Sequence, residues 1–209
     1  MDIPGITTHI DSGVALTFDA CGGPHGSQFD ADLIATLRTL AIPATLFLNR
    51  RWIESNPGLA RDLAADPLFT LANHGTRHCP LSVTGRAAYR IPGTTSAVEA
   101  WREVRDNHVF MEDTLGVSPA FFRSGTAHYD DVAIEVAALS GEGIAGFSIN
   151  ADAGATASQS QIERALGQAK SGDIVIAHMN QPGGHTAEGF AAALPRLQDA
   201  GVRFTHLTP

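Results

Sequence analysis

Residues 14–23 read VALTFDACGG. Val14 to Phe18 form an apolar and β-branched run that leads straight into a carboxylate, Asp19. Ala20, Cys21 and the pair Gly22–Gly23 follow. A short apolar run bounded by glycines reads as a strand buried on both faces, as in a parallel sheet covered by helices. Capping does not explain the acid at its end, because the nearest helix start, at Asp30, is too far along the chain. The C-terminal ends of parallel strands are where α/β proteins build their sites.

Similar runs recur at ATLFL (44–48), FTLA (69–72), AFF (120–122), AGFSI (145–149), DIVIA (173–177) and RFTHL (203–207). Amphipathic stretches lie between them. Asp30 is the expected N-cap of a helix that places Leu33, Leu37 and Leu40 on one face. The stretch 96–116 aligns Trp101, Val104, His108, Met111 and Leu115. Further on, Val132, Val136 and Leu139 group together, as do Ile162, Leu166 and Ala169. The last helix carries Phe190, Leu194 and Leu197 and stops at Gly201, with a kink or break expected at Pro195. Seven strands alternating with about six helices make an α/β protein, and right-handed crossovers leave an open doubly wound sheet or a barrel. An eight-unit barrel normally needs about 250 residues, so 209 residues in one domain (1–209) would suit a smaller, irregular one.

Hydrophobic residues make up 44% and charged residues 17%, a globular composition. The formal net charge of -8 argues against nucleic acid and anionic membrane as main partners and leaves a neutral carbohydrate open. No apolar stretch approaches a membrane span. The first residues, MDIPGITTHIDSG, lack a basic segment followed by an apolar one, so no signal peptide is read; a cytosolic protein, or a mature domain with an added Met1, is expected.

Polar groups follow the apolar runs in a consistent way. Asp19 follows the first; Asn73, His74 and His78 the third; Arg123 and Ser124 the fourth; Asn150 and Asp152 the fifth; His178 and Asn180 the sixth. Taken singly, each has an ordinary reading as a turn acid, a solvated histidine, a surface ion pair or a core histidine bonded to backbone. Five strand ends delivering such groups to one rim are harder to explain that way. His108, on an apolar helix face, reads as a core residue; His9 and His206 have no constellation near them and take no role.

In this order the segments resemble the motifs of the polysaccharide deacetylase family, carbohydrate esterase family 4 or the NodB homology domain. TFDACGG resembles the family's T-F-D-D-G; NHGTRH is similar to H-[ST]-x-x-H; FFRSGTAHYDD resembles the segment built on R-x-P-x-G; FSINADAG falls where an aspartate-containing segment belongs; IVIAHMN is similar to the apolar strand that ends in histidine. The likeness runs from Val14 to about Phe204. It implies an irregular, TIM-like (β/α) barrel of about seven strands with the site at the strand C-termini. It also implies metal-dependent removal of N-acetyl (or O-acetyl) groups from a polysaccharide such as an N-acetylglucosamine-containing glycan. By the same resemblance Asp19 is the catalytic base, Arg123 orients it, His178 is the general acid and Asp152 orients His178. His74 and His78 are metal ligands, with zinc the expected ion because imidazole suits it. Ser124, Gly125 and Asn180 are expected to meet substrate, with a backbone N–H near Ser124 stabilising the developing oxyanion. An extracellular or cell-envelope protein is implied, acting as a monomer on a carbohydrate.

The chain departs from the pattern in places. Ala20 stands where the family has a second aspartate that binds the ion, leaving Asp19, Cys21, His25 or water to complete the ligand set. The proline of the third motif and the tryptophan of the fourth are absent. Cys21 and Cys79, the chain's two cysteines, flank motif residues and are expected to pair as a disulfide. Two other readings remain: a carbohydrate-binding barrel that has lost its ion, and a hydrolase of the same fold acting on a small amide.

Overall fold

A computed structural model describes residues 5–208; Met1 lies outside them. Among these described residues nine strands form one sheet in the order β1-β6-β5-β4-β3-β2-β8-β7, with β9 also pairing β2. They are β1 (Ile6–Thr7), β2 (Val14–Ala20), β3 (Ala44–Leu48), β4 (Phe69–Asn73), β5 (Phe121–Phe122), β6 (Gly143–Ala145), β7 (Ile149–Asn150), β8 (Ile174–His178) and β9 (Phe204–Thr205). Every pairing between these strands is parallel. The sheet curls into the irregular (β/α) barrel expected from the sequence.

Side-chain alternation along β2 separates two cores. Val14, Leu16, Phe18 and Ala20 face outward into the main cluster, beneath helices α1 (Ala31–Thr39), α6 (Gln159–Leu166) and α7 (Thr186–Asp199). Ala15 faces inward, with Phe47, Ala72, Phe121, Ala145, Ile174 and Leu207 inside the curl. Helices α4 (Ala97–Leu115) and α5 (Asp131–Ala138) cover a third cluster around Val104, Phe122 and Ile144. Asp30 does cap α1, accepting the Leu33 N–H at 3.1 Å. Ser96 and Asp130 do the same for α4 and α5.

The differences from the sequence reading have local causes. Two short helices, α2 (Arg50–Ser55) and α3 (Pro57–Ala65), were not expected; Asn56–Pro57 interrupts their periodicity, although Trp52, Ile53, Ala60 and Leu63 are buried. The buried side of α4 is Ala100, Glu103, Val104, Asn107, His108 and Met111, whereas Trp101 is exposed. In α5 the buried residues are Ala133, Ile134 and Ala137, and Val132 and Leu139 face solvent. Helix α7 continues through Pro195 to Asp199 without a break. Proline removes one N–H, and here it falls on the half-buried side of the helix beside exposed Ala191.

The run 145–149 is not one strand. Gly143–Ala145 pairs β5 and β1 near one end of the sheet, and Ile149–Asn150 pairs β8 at the other. Only Gly146, Phe147 and Ser148 connect them. The curl is thus closed across this seam by the chain itself, where β-ladder pairing stops.

Candidate active site

Strand register places the first two groups. Asp19 and His178 are Cα partners on adjacent strands β2 and β8, at their C-terminal ends. Asn73, the last residue of β4, is the register partner of Phe122 on β5, so the histidine loop and Arg123 start from neighbouring positions. Register thus sets Asp19 beside His178, and the start of the histidine loop beside Arg123.

Arg123 is fully buried and extensively bonded. Its Nη1 donates to Asp19 Oδ1 at 2.8 Å and to Thr17 Oγ1 at 2.9 Å. Its Nε donates to the Ala145 carbonyl and its Nη2 to that of Gly146. The guanidinium lies 4.2 Å over the Phe47 ring. Burial alone would favour protonation of Asp19, but the Arg123 guanidinium beside it leads the charges that outweigh burial and hold the carboxyl below the usual carboxylate range. Asp19 is therefore a buried, ionised carboxylate.

His74 is buried, and its Nδ1 lies 2.9 Å from the Arg123 carbonyl. Burial pushes its pKa down and keeps the ring neutral. A carbonyl can only accept, so Nδ1 carries the hydrogen and Nε2 turns a lone pair inward. That lone pair stands 3.6 Å from Asp19 Oδ2 and 3.9 Å from the Cys21 sulfur. Burial and neighbouring His74 push His78 down to about 3. Its ring meets that of His74 edge to face, with centroids 5.0 Å apart. Two neutral imidazoles, a carboxylate and a thiol facing one another fit a divalent cation.

The histidine loop is held by groups that do not stand out in the sequence. Glu103 Oε1, from the buried side of α4, accepts the N–H groups of Arg77 (2.8 Å) and Cys79 (3.3 Å), on either side of His78. An acid on the apolar side of α4 was the available signal for it. Asn73 donates to Glu142, which also meets His108, so His108 is a core histidine as expected. His78 itself has φ 64, the left-handed region, and Gly125 fits against it. A Cβ on Gly125 would come within 2.3 Å of the His78 carbonyl carbon and 2.6 Å of its Cγ. If His78 is a ligand, as the resemblance implies, Gly125→Ala is expected to displace that ring and lower zinc affinity by about 10–100-fold, the usual cost of disturbing a ligand's support. Calorimetric titration with zinc would check this, and unchanged affinity would remove His78 from the ligand set.

His178 lies beside buried Asp152, with Nδ1 3.0 Å from Oδ1 and its own backbone N–H donating to Oδ2 at 2.7 Å. Burial opposes charging the ring, but the Asp152 carboxylate prevails and raises the His178 pKa above its ordinary value. A groove of about 570 Å³, bordered by Asp19, Cys21, His78, Gly125 and His178, reaches solvent past Tyr89. Tyr89 is 78% exposed and sets its ring edge-on to His128 at 5.2 Å.

Other expectations are corrected. Ser124 is buried; its N–H donates to the Tyr129 hydroxyl and its hydroxyl to the His128 carbonyl, so neither is free for an oxyanion. Asn180 is buried too, with Nδ2 donating to the Gly26 carbonyl, and it supports the Gly22–Gly26 turn. Cys21 and Cys79 are both free thiols: the first turns toward His74, and the second is held at its backbone by Glu103. Ala20 does not border the groove at all; it is buried among the outer core residues.

The sequence profile described as polysaccharide deacetylase matches residues 7–142. The uncharacterized protein YlxY of Bacillus subtilis (strain 168) is 24% identical over 186 residues, 88% of this chain and 53% of that protein, so the chain spans about half its length. Three solved structures share the fold. A family 4 carbohydrate esterase from Streptomyces lividans, in complex with acetate, has a TM-score of 0.77 at 23% identity, covering 95% of this chain and 94% of the other. The Bc1960 peptidoglycan N-acetylglucosamine deacetylase gives 0.76 at 23%, covering 94% and 89%. BA3943 from Bacillus anthracis, described as a family 4 pseudoenzyme, gives 0.76 at 17%, covering 98% and 65%. The matched range includes Asp19, His74, His78 and Arg123. This chain belongs to the polysaccharide deacetylase family.

Proposed function

We propose that the chain is a metal-dependent hydrolase that removes N-acetyl groups from an N-acetylglucosamine-containing glycan of the bacterial cell envelope, acting there as a monomer. One observation carries this reading: an ionised, arginine-held carboxylate and a carboxylate-held histidine of raised pKa border one groove, in register on adjacent strands. His74 and His78 would hold the cation, with zinc the expected ion; when bound, it polarises the acetyl carbonyl and makes water a better nucleophile. Asp19 accepts the proton of the attacking water, and Arg123 keeps it ready to do so by disfavouring prior protonation. His178 then gives a proton to the departing sugar amine from Nε2, the nitrogen that Asp152 leaves free. The exposed ring of Tyr89 offers a face on which a sugar can stack at the mouth of the groove.

The deacetylase and peptidoglycan names of the similar structures support the choice of substrate. The pseudoenzyme among them keeps a second reading alive, a barrel that binds glycan without cleaving it. Retention of base, arginine, acid and orienting carboxylate favours the enzyme. Acetate release from N-acetylglucosamine oligomers and from peptidoglycan, for zinc-loaded and chelated protein, tests it. Release that requires zinc is expected; no release from either glycan after loading, together with measurable binding, would establish the second reading.

The acid's tuning gives a pH prediction. The raised pKa keeps His178 protonated to higher pH, so activity falls on the alkaline side as it finally deprotonates. Asp152→Asn removes the opposing charge and is expected to move that limb to lower pH by about one unit or more. A kcat–pH profile would show it, and an alkaline limb that stays in place would mean another group is the acid.

A further inference from the structure

We propose that Cys21 is the third protein ligand of the ion, so that a thiolate takes the role vacated by the missing carboxylate at Ala20. This deepens the proposed function and rests on its reading that His74 and His78 hold a cation. The inference follows from the two-residue period of a strand. Along β2, Val14, Leu16, Phe18 and Ala20 all face the outer core, while Ala15 and Asp19 face inward. The next inward position after Asp19 is residue 21, and Cys21 does border the groove.

Three further observations converge on the sulfur. One ligand atom from each of Cys21, His74 and His78 lies within 4.8 Å of the others. Tetrahedral zinc with one sulfur and two nitrogen ligands sets such atoms about 3.3–3.7 Å apart, and Sγ to His74 Nε2 is already 3.9 Å. The turn that carries Cys21 is fixed. The Gly22 N–H donates to the Gly26 carbonyl, and Gly22 has φ 70, where a Cβ would strike the Trp52 nitrogen at 2.6 Å. Asn180 supports the same turn through Gly26, and its buried Oδ1 has no hydrogen-bond partner. Asp19, with Oδ1 committed to Arg123, is then left as base instead of ligand.

A ligand set of one thiolate and two imidazoles is softer than one of carboxylate and two imidazoles. It selects zinc or cobalt over magnesium and manganese. On binding, the thiol proton passes to buffer as the sulfur–metal bond forms.

Cobalt(II) titration of the purified chain tests this without any substrate. Cobalt bound by a thiolate shows an intense sulfur-to-metal charge-transfer absorption in the near ultraviolet; cobalt bound by nitrogen and oxygen alone does not. The wild type and Cys79→Ser are expected to show the band. Because the chain has two cysteines, that pair of results assigns the band to Cys21 even if Cys21 variants fold poorly. Cys21→Asp should bind cobalt without the band, and Cys21→Ser should bind it at least about 100-fold more weakly, beyond the usual cost of losing an outer support. Cobalt binding by wild type with no band would overturn the proposal and leave a nitrogen–oxygen site. No cobalt binding would overturn both the ligand and the ion. A band without acetate release would keep the ligand and refute only the deacetylase reading.

Discussion

Asp19→Asn is expected to lower acetate release by about 10²–10⁴-fold, the range supplied by a positioned general base. Asparagine keeps the shape and still accepts the Arg123 hydrogen bond, but it cannot take a proton from water at neutral pH. Ion affinity should change little if the three ligands are Cys21, His74 and His78, so ion content and turnover should separate in this variant. The discriminating measurement is kcat at saturating zinc beside ion stoichiometry. Turnover within a few-fold of wild type would end the assignment of Asp19 as base. Loss of the ion together with activity would instead make Asp19 a ligand.

Arg123→Met is expected to be the most damaging single change to stability, at about 3–5 kcal/mol, because removing one partner of a buried pair leaves a charge uncompensated. The loss exceeds one ion pair. The guanidinium also serves Thr17 Oγ1 and the carbonyls of Ala145 and Gly146, none of which methionine can satisfy. The direction with pH is set by Asp19, whose folded pKa is depressed. The pair stabilises the fold above the ordinary carboxylate range, and its contribution is lost as pH falls through the depressed value. The gap between wild type and Arg123→Met should therefore narrow in acid. Urea denaturation at neutral and acidic pH would reveal it; equal midpoints at neutral pH would show that the buried guanidinium adds nothing net to stability, and a gap that does not narrow in acid would remove the Asp19 charge from its cause.

The strand ends were readable from sequence because a buried parallel strand is apolar throughout, so the first polar residue after it stands out. That places Asp19, His74, Arg123 and His178 without any knowledge of their partners. What could not be read was facing and long-range bonding. Ala20 looks like a lost ligand when motif positions are matched in order. It looks different once alternation turns residue 20 outward and residue 21 inward. Sequence alone leaves the Ser124 N–H available for an oxyanion, because nothing in its neighbourhood announces that Tyr129 takes it. Periodicity fixes the spacing of a helical stripe but leaves its rotation to packing, so it puts Trp101 and Val132 inward, whereas α4 buries Glu103 and Asn107. The helices α2 and α3 escaped notice because each is short and Asn56–Pro57 breaks their pattern.

The seam at Gly146–Ser148 has a consequence for how this barrel breathes. Where a closed barrel would hold its last two strands together by a full ladder, side chains tie the edges here: Arg123 holds the carbonyls of Ala145 and Gly146 together with the Asp19 carboxylate, and the Ser148 hydroxyl bonds Asp173 and the Ile174 backbone. Any fluctuation that parts the seam loosens the grip on the Asp19 carboxylate and lets its proton affinity drift upward. Closure of the seam and ionisation of Asp19 are thereby linked, and a substitution that relaxes the first is expected to shift the second even when it lies far from the groove.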